Sequence, residues 1–358
     1  MAEKFRCFNP TAFLLLSIVV VLYLAEPSTA SDTLKIAQFQ LVKGDGRKQP
    51  WTVYEVPANF LQEDPFIKSV IKRVSGDGIE NYILKLQRFR TRYSFSDSVR
   101  SSSAWLFQQF QSLGYDVEYF YFTHGDMEHR NVIATKRGSM KPDKIVIIDG
   151  HYDSISEDPY NHAPGADDNA SGIAVLLETA RIVADLDPDL TIKFICFAAE
   201  EQGLVGSYYY SAHVQRENMD IKLLINVDMI GYSTRDSTDW KVFVERDQGN
   251  YRSDNDSLSR AYADTMSRAA YTYTSLIPVV GNIFASDYMP FERRGYVATG
   301  IFEYEGNPYY HRTTDLIDHL NIDYITEEAK LILATAMTLA GIKAYDIIIE
   351  HEPPADRE

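Results

Sequence analysis

Apolar and polar residues alternate along 34–56 (LKIAQFQLV, then WTVYEV) on either side of Gly44, Asp45 and Gly46, a pattern that predicts a β-hairpin. Residues 64–90 and 98–113 read as helices; in the second, Phe107, Phe110 and Leu113 recur at three-residue steps. Beyond them short apolar runs and amphipathic stretches take turns. Strands are predicted at 117–122, 131–134, 144–148 (KIVII), 191–198, 223–229, 241–244 and 297–302, and helices at 172–186, 203–214, 257–270 and 326–344. On the first of these helices Ile173, Leu176, Leu177, Ala180 and Val183 share one face. Short buried strands separated by helices predict an α/β fold, a mostly parallel mixed β-sheet flanked by helices on both faces.

The two ends of the chain read differently from the middle. Lys4 and Arg6 precede an uncharged apolar run, 11–25, which ends before Pro27, Ser28, Thr29 and Ala30. The run is short for the ~20 residues of a membrane span and has the layout of a secretory signal peptide cleaved near Ala30, so residues 1–30 are expected to leave an exported, periplasmic or secreted protein. The rival reading is an uncleaved anchor in a membrane. Residues 31–75 form a lead segment that reads equally as propeptide, cap or edge hairpin; 76–345 is expected to be the main domain, and 346–358 is a polar tail.

Composition narrows the partners. The 358 residues carry 35 Lys+Arg against 51 Asp+Glu, a net charge of −16, and 45% are hydrophobic. That excludes disorder and argues against nucleic acid, whose phosphates such a chain repels. The charged residues of 1–30 cancel, so the acidity belongs to the folded part and no membrane is expected for the mature form. Of two cysteines, Cys7 falls in the leader and Cys196 remains, which leaves no internal disulfide.

Candidate chemistry is set by where acids and histidines fall on this scaffold, because ligands of open α/β sheets sit at the carboxyl ends of the strands. KIVII is followed by Asp149, His151 and Asp153; 191–198 by Glu200 and Glu201; 223–227 by Asp228; and 297–302, after a short loop, by His311. Asp167, Asp168 and Asn169 lie in the loop before helix 172–186, where Asp168 and Asn169 could simply cap that helix. Two adjacent glutamates closing an apolar strand are costly unless a cation compensates them. Two imidazoles with several carboxylates suit a pair of Zn²⁺ ions, and neighbouring glutamates on extended chain diverge, so that one can ligate while the other acts as general base.

The strings GHYDS (150–154), PGADDNASG (164–172), AAEEQGLVGS (198–207), NVDMIG (226–231) and YHRTTD (310–315), together with LQRFRTRYS (86–94), resemble the M28 family of zinc peptidases, the bacterial leucyl aminopeptidase type. The resemblance implies the zinc-dependent exopeptidase fold, two Zn²⁺ per chain, and hydrolysis of the N-terminal bond of a peptide substrate. It further implies His151 and Asp228 on one ion, Glu201 and His311 on the other, and Asp167 bridging both. Glu200 would be the general base, and Asp153 would accept the second N–H of His151. Asp168 would follow Asp167 across a cis peptide, Tyr310 would donate to the carbonyl oxygen of the intermediate, and Ser286 would lie at the substrate pocket. The alternatives are a glutaminyl cyclase on the same fold, carboxypeptidase or dipeptidase specificity, and a non-catalytic binding module. Neither the preferred N-terminal residue nor an oligomeric state is read from the sequence.

Overall fold

The computed structural model describes residues 36–42, 48–55, 61–247, 255–283 and 285–344. The expected leader, the Gly44–Gly46 turn, Cys7 and the tail beyond 345 lie outside the described residues. Strands β1 (Ile36–Val42) and β2 (Lys48–Glu55) pair antiparallel as the hairpin that the alternation predicts, and β2 continues onto the sheet edge through Tyr54 and Glu55. Helix α1 (Pro65–Val70) is capped by the Asp64 carboxylate. It does not run on into α2 (Gly76–Gln87) as the sequence pattern suggests: Val74 is extended, and Ser75 caps a new helix by accepting the Gly78 amide. Ile67, Val70 and Ile71 belong to the main core, so the packed domain begins ahead of residue 76.

Next come α3 (Ser98–Ser112), β3 (Asp116–His124), β4 (Met127–Lys136), β5 (Lys141–His151), α4 (Gly172–Val183), β6 (Leu190–Phe197) and α5 (Val205–Arg216). The chain continues with β7 (Asp220–Val227), β8 (Lys241–Arg246), α6 (Asp256–Tyr273), β9 (Ile277–Asn282), α7 (Met289–Glu292), β10 (Ala298–Glu303) and α8 (Ile322–Ala340). Strand order is β1-β2-β9-β8-β10-β7-β5-β6-β4-β3. The four central strands β10, β7, β5 and β6 are parallel, and antiparallel pairings flank them. The one unanticipated strand is β9, whose Pro278 argues against a ladder position.

Strand alternation explains the two covered faces. Val146 and Ile148 of β5, Ile192, Phe194 and Cys196 of β6, and Leu223 and Ile225 of β7 point into the larger core under α2, α4 and α8. Ile145, Ile147, Ile195, Phe197 and Leu224 point the other way, where Tyr210 and Val214 of α5 and Phe291 of α7 cover them. Cys196, fully buried in the sheet, is a free thiol. Among the described residues no helix is long and apolar enough to cross a membrane.

Candidate metal centre and active site

The parallel strands deliver their carboxyl ends to one place. β5 ends on His151, 1% exposed, and β7 is followed directly by Asp228. After β6 the backbone turns at Ala199 (φ 58) and presents Glu200 and Glu201; the loop after β10 presents His311 (φ 57). The turn before α4, Ala166–Ser171, is helical but kinked by non-helical backbone at Asp168 (φ −101, ψ 93) and Asn169 (φ −129, ψ 49). These conformations point Asp168 inward, while Asn169 accepts the Gly172 amide as a cap and donates to Val227 O.

His151 Nε2 lies 3.1 Å from Asp168 Oδ1 and 3.3 Å from Asp228 Oδ1. His311 Nε2 lies 3.1 Å from Asp168 Oδ2 and 2.8 Å from Glu201 Oε2. The two oxygens of Asp168 therefore face different imidazoles, each of which has its own second carboxylate. For bonds of roughly 2.0 Å, ligands at the corners of a tetrahedron are about 3.3 Å apart, and three of the four separations here, 3.1, 3.3 and 3.1 Å, come close to that, while His311–Glu201 at 2.8 Å is shorter. Glu201 Oε1 and Asp228 Oδ1 are buried yet engaged in no hydrogen bond, as expected of lone pairs left for a cation. The donor set fits zinc, and His151, Asp168 and Glu201 can bring their ligand atoms within 4.8 Å of one another.

Electrostatics agree. Burial lowers the affinity of His151 for a proton, but Asp228 and Glu200 reverse this and hold it well above the usual imidazole range. His311 is pushed up to about 10, against burial, by Glu201 and Asp168. Asp168 is held below the carboxylate range by hydrogen bonds from both imidazoles, again against burial. Glu201 is pushed up to about 7 by burial and by Asp168. Glu200 is raised well above the carboxylate range by burial first, then by Glu201, Asp287 and Asp228. Without a metal ion the imidazoles take up protons because the carboxylates around them demand positive charge.

Asp167, expected at the bridge, is not there. Its Oδ1 accepts the Gly231 amide (2.7 Å) and its Oδ2 the Asn307 side-chain amide (2.5 Å), in a pocket away from both histidines. The carboxylate between the two imidazoles is that of Asp168, and the cis peptide lies between Asp168 and Asn169, one residue later than expected. Asp153 also differs from expectation. Its backbone carbonyl is the group 3.2 Å from His151 Nδ1, whereas its carboxylate, 3.7 Å away, accepts the Glu200 and Glu201 amides and the Ser94 hydroxyl. The Ser286 hydroxyl, assigned to substrate, donates to Asp228 Oδ2 at 2.7 Å. Tyr310 stacks on His311 with centroids 3.7 Å apart, and burial together with Asp168 and Glu201 raises its phenol well above its usual range. Unforeseen were Ser94, Arg92 and Asp315; the last two contact the turn that carries Asp168.

Comparison with known proteins places this arrangement. The family model described as peptidase family M28 matches residues 131–336. A protein named "Probable zinc metalloprotease" from Pyrenophora tritici-repentis is 31% identical over 78% of each chain. "Leucine aminopeptidase 1" from Ajellomyces capsulatus is 30% identical over 78% of this chain and 75% of its own. Among solved structures, the Legionella pneumophila LapA aminopeptidase shares the fold with a TM-score of 0.67 at 23% identity, covering 79% of this chain and 76% of that one. A Bacteroides thetaiotaomicron glutaminyl cyclase shares it at 0.61 and 19%, covering 73% and 97%. The chain belongs to peptidase family M28 and is a hydrolase acting on peptide bonds.

Proposed function

We propose that the protein is an aminopeptidase that binds two zinc ions, one at His151 and Asp228 and the other at His311 and Glu201, with Asp168 shared. The observation that carries this reading is the pair of Asp168 oxygens, each 3.1 Å from a different imidazole. Names of relatives, a zinc metalloprotease and a leucine aminopeptidase, support metal and specificity alike. Bound zinc would supply Lewis acidity, activating water and polarising the scissile carbonyl. Glu200, whose carboxyl binds a proton far more readily than an ordinary glutamate, takes a proton from the attacking water and passes it to the leaving amine. Asp153 orients Glu200 and Glu201 through their amides, Ser286 orients Asp228, and Tyr310 donates to the carbonyl oxygen as it becomes negative. The protein acts after export and removal of residues 1–30.

Glu200→Ala should abolish hydrolysis of a leucyl anilide while leaving two zinc ions per chain by metal analysis. Near-normal turnover would overturn the assignment of the base. The wild-type protein incubated with a peptide bearing N-terminal Gln should give no cyclised product, because a shared carboxylate serves a two-metal site. N-acetylated peptides should resist cleavage, and their rapid hydrolysis would move the specificity toward carboxypeptidase or dipeptidase action. N-terminal sequencing of the secreted protein should begin near residue 31.

A further inference from the structure

Two buried groups of opposite charge grip the backbone that carries Asp168. Arg92, fully buried just beyond α2, donates from Nε to Tyr152 O (2.7 Å), from Nη1 to Pro164 O (2.6 Å) and from Nη2 to Gly165 O (2.8 Å). Asp315, 2% exposed, accepts the Asp167 amide (3.0 Å) and the Asp168 amide (3.1 Å) on its carboxylate and the Ala166 amide on its carbonyl. Carbonyls of 164–165 are thus held from one side and amides of 166–168 from the other. The guanidinium makes no hydrogen bond to a carboxylate, and Asp315 is the charge that acts on it most strongly. Tyr152 follows His151 directly and Asp315 lies four residues past His311, so the two side chains link all three segments that meet at the shared carboxylate. Gly165 (φ 51) is part of the fit: a Cβ there would lie 2.8 Å from Arg92 Nη2 and 2.3 Å from Asp168 O.

We propose that Arg92 and Asp315 are positioning residues that together set the Asp168 turn so that its carboxylate reaches both zinc ions, coupling the two half-sites. The proposal rests on the two-zinc reading above. A planar fork that reaches three carbonyls cannot be replaced by an ammonium, and an amide in place of Asp315 turns one acceptor into a donor facing the turn amides. Outer groups that orient ligands typically affect metal affinity by about ten- to a hundredfold.

The test is a zinc titration against a chromophoric chelator, with the melting temperature of each metal-free protein, on wild type, Arg92→Lys, Asp315→Asn, the double variant and Glu178→Gln. Glu178, remote from the site, holds the Ser75 amide and Arg181, so its loss should lower the melting temperature and leave zinc affinity unchanged. Arg92→Lys and Asp315→Asn should each weaken both ions together by about ten- to a hundredfold, with the double variant little worse than the weaker single, since both act on one turn. Wild-type zinc affinity in either folded single variant would overturn the proposal, and so would loss of only one ion. If Arg92→Lys does not fold, Asp315→Asn decides; failure of both to fold without metal would make the clamp a requirement of the fold and also overturn it. A wild type that binds a single zinc would defeat the two-zinc reading, an outcome read from stoichiometry rather than from the variants.

Discussion

Exchanging the roles of two adjacent aspartates is the sharpest check on the site. In Asp168→Asn one of the two oxygens that face imidazoles becomes an NH₂ with no lone pair, so one half-site loses a ligand outright and the other loses its anionic partner. Losing a contribution of several kcal/mol from a metal predicts a fall in turnover of about a thousandfold or more. Asp167→Asn is a different perturbation. Its Oδ1 can still accept the Gly231 amide, but the new NH₂ meets the Asn307 amide donor, a conflict worth about 1–3 kcal/mol. Glu303, whose proton affinity is raised by burial and by Asp167, hydrogen-bonds to Asp167 and can accept from the new amide, which offsets part of that. A net cost of about 1–2 kcal/mol corresponds to about 2–3 °C in melting temperature for a chain of this size. The assays are zinc content after gel filtration, leucyl anilide hydrolysis and thermal melting. Asp167→Asn should keep both ions and most activity while melting slightly lower. Loss of zinc there, or retention of two ions in Asp168→Asn, would refute the assignment.

Further expectations concern the surroundings of the site. Ser286→Ala removes the hydroxyl held against Asp228 Oδ2 and should weaken one zinc about tenfold, leaving the other unchanged in the same titration. In the metal-free protein, burial pushes Glu245 up to about 8, so the unfolded chain ionises it first and native stability falls as pH rises from about 4.5 to 8. Glu245→Gln keeps an acceptor for the Tyr288 hydroxyl and should melt higher than wild type at pH 8 but not at pH 4.5; a pH-independent difference would contradict this. Chelation should lower the melting temperature, and free zinc restored to about a hundred times Kd should return about 2.7 kcal/mol per independent site.

Much of this was legible in the chain. KIVII, LLINV and TIKFICF announce buried parallel strands, and each ends within a few residues of a ligand, so His151, Glu201, Asp228 and His311 converge as the strand-end rule requires. Which aspartate lies between the imidazoles was not legible, because periodicity cannot decide which of two adjacent aspartates points inward where non-helical backbone interrupts a helical turn at Asp168 and Asn169. Nor could spacing single out Arg92: LQRFRTRYS holds three arginines, and only the fold buries one of them between two distant loops. Asp315 closes the YHRTTD motif, yet its use as an acceptor for amides of the Asp168 turn, far away in sequence, depends on the two loops meeting. The break between α1 and α2 stems from Ser75, whose capping role competes with an unbroken apolar pattern.

Cys196 offers a practical consequence. It sits in the middle of the sheet with no exposed surface, and burial raises the pKa of its thiol, which suppresses the reactive thiolate. In a protein lacking residues 1–30, and with them Cys7, it is the only thiol in the chain, so a thiol reagent can label that protein only when the central strands part. The labelling rate becomes an intrinsic clock for opening of the molecule, readable without added dyes or mutations. Run with and without zinc, that clock separates metal binding that merely fills the site from metal binding that keeps the whole sheet shut.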